Sequence, residues 1–86
     1  MKKLVYTDRF KKLYKKLPDK LQTKVKRQLK QLVQDMNHPS LNSKKMRGRD
    51  DIWEARVDYQ HRFTFQKSDN SLILRAVGSH DVLKKP

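Results

Sequence analysis

The sequence predicts an α+β domain with the order β-α-α-β-β-β, a mainly antiparallel four-stranded sheet with a two-helix hairpin packed on one face. Three observations predict it. Up to Met36 the apolar residues recur at helical spacing, Pro18 interrupts that pattern once, and after Asp51 the apolar period changes to two.

Residues 2 to 6, Lys Lys Leu Val Tyr, read as a short first strand, and Thr7 before Asp8 is a helix N-cap. Phe10, Leu13, Tyr14 and Leu17 then fall at i, i+3, i+4 and i+7, one face of a short helix. Pro18 suits the first turn of a second helix, in which Leu21, Val25, Leu29, Leu32, Val33 and Met36 line one stripe until Asn37 His38 Pro39 ends it. From Pro39 to Asp51 the chain is polar and reads as a loop carrying Lys44, Lys45, Arg47 and Arg49.

Beyond the loop, Trp53, Ala55 and Val57 alternate with Glu54 and Arg56, and Phe63 and Phe65 alternate with Arg62, Thr64 and Gln66. One face of these strands is core and the other polar. Asp58 to His61 links them, and Ser68 Asp69 Asn70 Ser71 turns into a final strand that runs to Val77. The parity of that strand is open: Leu72, Leu74 and Ala76 compete with Ile73 and Val77 for the core, and Gly78 can reset the pattern.

A chain of 86 residues holds one domain, 1–86, since at this size only about 60% of the unfolded surface is buried. No run approaches the roughly 18 apolar residues of a membrane span, and MKKLVYTDRF lacks the apolar stretch of a secretory signal. A cytoplasmic protein without a membrane partner is expected. The absence of cysteine fits that and excludes disulfides, thiolate metal sites and cysteine nucleophiles.

The net charge is +13, from 22 Lys and Arg against 9 Asp and Glu. Nucleic acid is the partner such a charge favours first, an acidic protein second. Residues 1 to 36 carry 12 of the basic side chains and 3 of the acidic ones, so the helical half makes the field. Its lysines stack at i, i+4 (Lys11 and Lys15, Lys12 and Lys16, Lys16 and Lys20, Lys20 and Lys24) at ~0.2–0.5 kcal/mol per like pair, a cost that a bound polyanion offsets. Arg47, Arg49, Arg56, Arg62 and Arg75 lie in the other half, and guanidinium is the group that grips phosphate in bidentate fashion.

Candidates for catalysis are few. His38 precedes Pro39 at a helix end, where it can cap carbonyls; His61 lies in or beside a hairpin turn; His80 follows Gly78 at a strand's end, where a side chain can leave the pleat. Glu54, the only glutamate, shares a strand face with Arg56, and Arg62 falls on the polar face of the neighbouring strand. These groups suffice for RNA cleavage without a metal. A base (Glu54) removes the 2′-OH proton, an acid (His80) protonates the leaving 5′-oxygen, and Arg56 and Arg62 hold the phosphate. Scattered histidines and the lack of a carboxylate cluster disfavour a metal site, and two glycines, Gly48 and Gly78, are too few for a phosphate-cradling loop. No cofactor is expected.

Lys45 Met46 Arg47 Gly48, Ile52 Trp53 Glu54 Ala55 Arg56 Val57, His61 Arg62 Phe63 Thr64 Phe65, and Val77 Gly78 Ser79 His80 Asp81 stand in an order and spacing that resemble the RelE/ParE superfamily of toxins from bacterial toxin–antitoxin pairs. The likeness spans nearly the whole chain. It implies a toxin that cleaves mRNA, on the ribosome, with a cognate antitoxin whose acidic or amphipathic segment covers the basic groove. It places Arg62 where RelE-like nucleases keep a phosphate-binding arginine, Arg56 where RelE has a catalytic lysine, and His80 where YoeB-like and YafQ-like relatives have a terminal histidine. Glu54 takes the place of a basic RelE residue, so its role rests on chemistry. Around these four, Lys44, Lys45, Arg47, Arg49, Arg75, His61, Tyr59, Lys84 and Lys85 are the expected RNA contacts. One position departs from the pattern: many relatives place a catalytic tyrosine where this chain has Leu83, followed by Lys84, Lys85 and Pro86, which leaves Tyr59 or Trp53 to stack on a base. The superfamily also includes gyrase poisons, so a non-enzymatic ParE-type gyrase inhibitor is the alternative and a degenerate RNA-binding module the third.

Overall fold

The computed structural model describes residues 2–49 and 51–86. Its elements are β1 (Lys3–Tyr6), α1 (Asp8–Lys15), α2 (Asp19–Gln34), a 3-10 turn (Pro39–Leu41), β2 (Lys44–Lys45), β3 (Ile52–Arg56), β4 (His61–Lys67), β5 (Ser71–Ser79) and a 3-10 helix (His80–Lys84). Thr7 starts α1 as its spacing predicts. The hydroxyl accepts from the Phe10 amide at 3.1 Å and donates to the Leu74 carbonyl at 2.7 Å, so one side chain caps the helix and ties it to β5.

Pro18 stands one position outside α2, as its N-cap, and its carbonyl accepts from the Leu21 and Gln22 amides. The second helix stops earlier than Asn37 His38 Pro39. At Asp35 the backbone turns extended (φ −157°, ψ 99°) and the carboxylate accepts from the Asn37 amide at 3.0 Å, a local bond that competes with another helical turn. His38 does not cap the carbonyls of α2. Its ring nitrogen accepts from the Ser40 amide at the start of the 3-10 turn instead.

The sheet has five strands rather than four, in the order β1-β5-β4-β3-β2, with β1 parallel to β5 and the other pairs antiparallel. The extra strand lies inside the expected loop: Lys44 and Lys45 pair with Glu54 and Trp53. Two exposed lysines carry no apolar pattern that would reveal a strand, and such residues suit an edge that must not recruit another chain.

Phe10 of α1, Leu21, Val25, Leu29 and Leu32 of α2, and Leu41 pack on Ala55, Val57, Phe63, Phe65, Leu72, Leu74 and Val77 from one face of the sheet. Phe63 and Phe65 are fully buried, each contributing ~1.5–3 kcal/mol by removal from water. A bulge resolves the final strand. Thr64 pairs with Ala76 but Phe65 pairs with Leu74, so Arg75 is the extra residue and both competing sets contribute to the core: Leu72 and Leu74 before it, Val77 after it.

Gln28 joins α2 to its neighbours. It is buried, and its amide donates to the Ser40 carbonyl at 3.1 Å and to the Arg56 carbonyl at 2.9 Å. Gln28→Ala leaves both carbonyls without that donor and is expected to cost about 2–3 kcal/mol in urea unfolding. Gln28→Met, which keeps the volume without the donor, should recover less than half of that loss.

Candidate functional site

Strand register decides which side chains share a surface. Glu54 lies opposite Thr64, Arg56 opposite Arg62, Thr64 opposite Ala76, and Arg62 opposite Gly78. All of these project from the face that does not pack on the helices, together with Gln66 of β4. The expected grouping of Glu54, Arg56 and Arg62 on one face is therefore present.

Within that face the three differ in their engagements. The Glu54 carboxylate is 14% exposed and lies 3.8 Å from Lys44 Nζ, a loose pair. Arg56 is exposed, and its guanidinium has no partner among the described residues. Arg62 is held firmly: Nη1 donates to the carbonyls of Asp58 (2.7 Å), His61 (2.9 Å) and Tyr59 (3.4 Å). A guanidinium carries five N–H groups, so Nε and Nη2 keep three donors on a plane already fixed by the turn. Two guanidiniums opposite each other repel, and an anion bound between them would remove that cost.

His80 begins the 3-10 helix and is exposed; no hydrogen bond or ion pair joins it to Glu54 among the described residues. Ser79 caps this helix, its hydroxyl accepting from the Asp81 amide at 3.4 Å. The turn brings Asp81 to Lys84, at 3.7 Å, rather than to His80. The helix packs back over β4 and β5. Beneath it Thr64 and Ala76 are fully buried, so the expected polar face is partly roofed. Gly78 permits the close approach, since a Cβ there would meet Val82 Cγ1 at 3.0 Å. Thr64 Oγ1 is buried with no hydrogen-bond partner.

The other expected contacts are spread around this face. Lys45, Arg47 and Arg49, with Met46 and Gly48, line an open basin of about 500 Å³. Gly48 holds a left-handed conformation there (φ 75°), which favours glycine. Tyr59 is 87% exposed at the β3–β4 turn, whereas Trp53 is not on the open face. Its ring stacks on Phe65 at 6.4 Å, with Lys67 Nζ 5.0 Å from its centroid, so packing with the core removes it from base stacking. Lys84 and Lys85 are exposed, and Arg75 donates to the Gln66 side chain at 2.9 Å and to the main-chain oxygen of Pro86 at 3.2 Å.

His61 is committed to its turn. Asp58 Oδ1 accepts from the His61 ring at 2.9 Å and from the Gln60 and His61 amides, both at 2.9 Å, while Lys24 approaches Oδ2 at 3.4 Å. Burial alone pushes the Asp58 carboxyl upward, but these hydrogen bonds and the His61 charge outweigh it and hold its pKa at about 2. Sequence reasoning did not single out Asp58, Thr64, Gln66 or Arg9; an Asp two and three residues before Gln60 and His61 is the signal that marks the first as a turn-forming side chain.

A second feature lies among the helices. Tyr6, Phe10, Tyr14 and Leu29 floor a groove of about 350 Å³ rimmed by Lys11, Lys15 and Lys26. Among the described residues no three His, Asp or Glu side chains gather as metal ligands, and no helix is long and apolar enough to cross a membrane.

No protein-family model and no curated protein sequence matches the chain. Solved structures do share its fold. The YoeB dimer structure from Staphylococcus aureus matches with a TM-score of 0.78 and 15% identity, over 92% of this chain and 97% of that one. A YoeB/ParE toxin from Agrobacterium tumefaciens matches with 0.77 and 18%, over 91% and 98%. A chain of the intact Escherichia coli RelBE toxin–antitoxin complex matches with 0.76 and 20%, over 92% and 96%. The chain thus has the RelE/YoeB toxin fold that the motif order implied.

The Asp58 pKa is lowered from 3.8 to about 2, so its contribution to stability is present above the unfolded value and is lost as pH falls through the folded one. The melting-temperature gap between wild type and Asp58→Asn should be open at neutral pH and close as pH drops from about 4 towards 2. A gap that widens over that range would contradict the role given to the charge.

Proposed function

We propose that the chain is the toxin of a toxin–antitoxin pair and that it cleaves mRNA on the ribosome by attack of the 2′-OH, without a metal. The observation that carries this reading is the register. It sets Glu54, Arg56 and Arg62 on one face and places Arg62 opposite Gly78, two residues before His80. The shared fold of the YoeB and RelBE structures supports it.

In this mechanism the Glu54 carboxylate takes the 2′-OH proton and the 2′-oxygen forms a bond to phosphorus. The bond to the 5′-oxygen breaks as protonated His80 gives that oxygen its proton, leaving a 2′,3′-cyclic phosphate and a 5′-OH. Arg56 and the free donors of Arg62 meet the negative charge that develops on the phosphoryl oxygens. Lys44, Lys45, Arg47 and Arg49 steer the strand by charge, and Tyr59, the most exposed large apolar side chain, offers a ring for a base. The lysine-rimmed groove over Phe10 and Leu29 suits an amphipathic acidic segment of the antitoxin.

Induced expression should arrest growth with transcripts cut within codons. His80→Ala and Glu54→Gln should each lower cleavage by ~10²-fold or more and restore growth, with unchanged circular dichroism. A chelator selective for transition metals, added to a ribosome assay whose Mg²⁺ is maintained, should leave the rate unchanged. Uncut transcripts accompanied by DNA damage would turn the assignment to gyrase poisoning.

A further inference from the structure

Three arginines from distant parts of the chain converge on three consecutive main-chain oxygens. Arg9 of α1 donates to the Lys85 carbonyl, Arg49 of the turn before β3 donates to the Lys84 carbonyl at 3.4 Å, and Arg75, the bulge residue of β5, donates to Pro86 at 3.2 Å. Lys84 and Lys85 bring two more cations to the same place. The carboxylate paired there is Asp81, bound to Lys84 at 3.7 Å with both side chains over 80% exposed. None of the three arginines has an ion-pair partner among the described residues.

The carbonyls of Lys84 and Lys85 satisfy N–H groups but carry no formal charge, so the contacts of Arg9 and Arg49 leave their charges without neutralisation beside Arg75. Arg9 and Arg49 each use one donor of five, and both are exposed. A run of phosphates would take the same donors in bidentate fashion and cancel the repulsion.

We propose that Arg9, Arg49 and Arg75 form a phosphodiester-binding site that residues 84 to 86 occupy as an internal stand-in, and that an RNA backbone displaces them. The choice of RNA rests on the function proposed above; the site itself rests on the convergence. Residues 84 to 86 then act as a competitor, and apparent affinity for RNA is reduced by the fraction of molecules in which they are docked.

This makes a prediction opposite in sign to simple charge counting. Deleting residues 84 to 86 removes two lysines, yet it should tighten binding of a 2′-O-methyl RNA twelve-mer, which has no free 2′-OH to attack, by roughly three- to tenfold. In the shortened chain, Arg9→Gln should weaken binding and lower the slope of log affinity against log salt by about 0.7 for one lost phosphate contact. Weaker binding on deletion, with the shortened chain still folded, overturns the proposal. Because Pro86 is buried and its loss can unsettle the fold, amide resonances of the intact chain give the second measurement. Saturating RNA should shift Lys84 and Lys85 to the narrow lines of mobile chain while Val82 stays broad, and bound RNA with the Lys84 and Lys85 signals unmoved overturns the proposal. A poly-glutamate chain of equal charge that binds more tightly than RNA, with the same dependence on Arg9, would overturn it in favour of an acidic protein ligand. Transcripts left uncut on induction would remove the cleavage reading, while release of residues 84 to 86 by RNA would still be measurable.

Discussion

The single extra residue at Arg75 is the constraint on which the rest of the structure depends. Before it, β5 sends Leu72 and Leu74 into the core; after it, Val77 takes that direction. Without the bulge strict alternation would put Gly78 in the core and Val77 on the open face. With it, the open side of β5 carries Arg75, then the two smallest side chains available, Ala76 and Gly78. That combination lets the His80–Lys84 helix lie close against the sheet, with Val82 over Gly78. It also turns a guanidinium towards the residues that follow that helix. One local irregularity thus closes the core on one side and builds the roof on the other.

Charge organises the remaining surface. The basic side chains of α1 and α2 are exposed, so the positive field arises from helix faces that do not contact the sheet. Two of the acidic groups do local structural tasks, Asp58 holding the β3–β4 turn and Asp35 ending α2, while Glu54 faces Lys44. Negative charge is therefore absorbed where the backbone needs it, and the excess of cations is left for a ligand. The Asp58 turn has a second effect, since the carbonyls it presents fix the Arg62 guanidinium by one nitrogen only.

What was legible in the sequence is what depends on neighbours along the chain. The Thr7 cap, the stripe from Leu21 to Leu32, the interruption at Pro18 and the alternation around Ala55 and Phe63 each follow from spacing that backbone geometry imposes. The face shared by Glu54, Arg56 and Arg62 was legible for the same reason, because the hairpin between β3 and β4 is short enough to fix register. Two features were not. The strand at Lys44–Lys45 has no apolar residue to reveal a period, and the bulge at Arg75 exists only relative to β4. The partners of Arg9, more than seventy residues away in sequence, had no local signal at all.

The same geography bears on how catalysis and binding can share one short segment. His80 and the residues that meet the three arginines lie at opposite ends of the His80–Lys84 helix. The first end is secured by the Ser79 cap, by the pairing of Ser79 with His61, and by Val82 on Gly78. None of these involves Arg9, Arg49 or Arg75. Release of residues 84 to 86 therefore breaks guanidinium bonds to main-chain oxygens, the exposed Lys84–Asp81 pair and the burial of Pro86, and leaves the attachments nearest His80 in place. Separation of the two anchor points is what allows one end of the segment to yield to ligand while the other keeps an imidazole at the edge of the sheet.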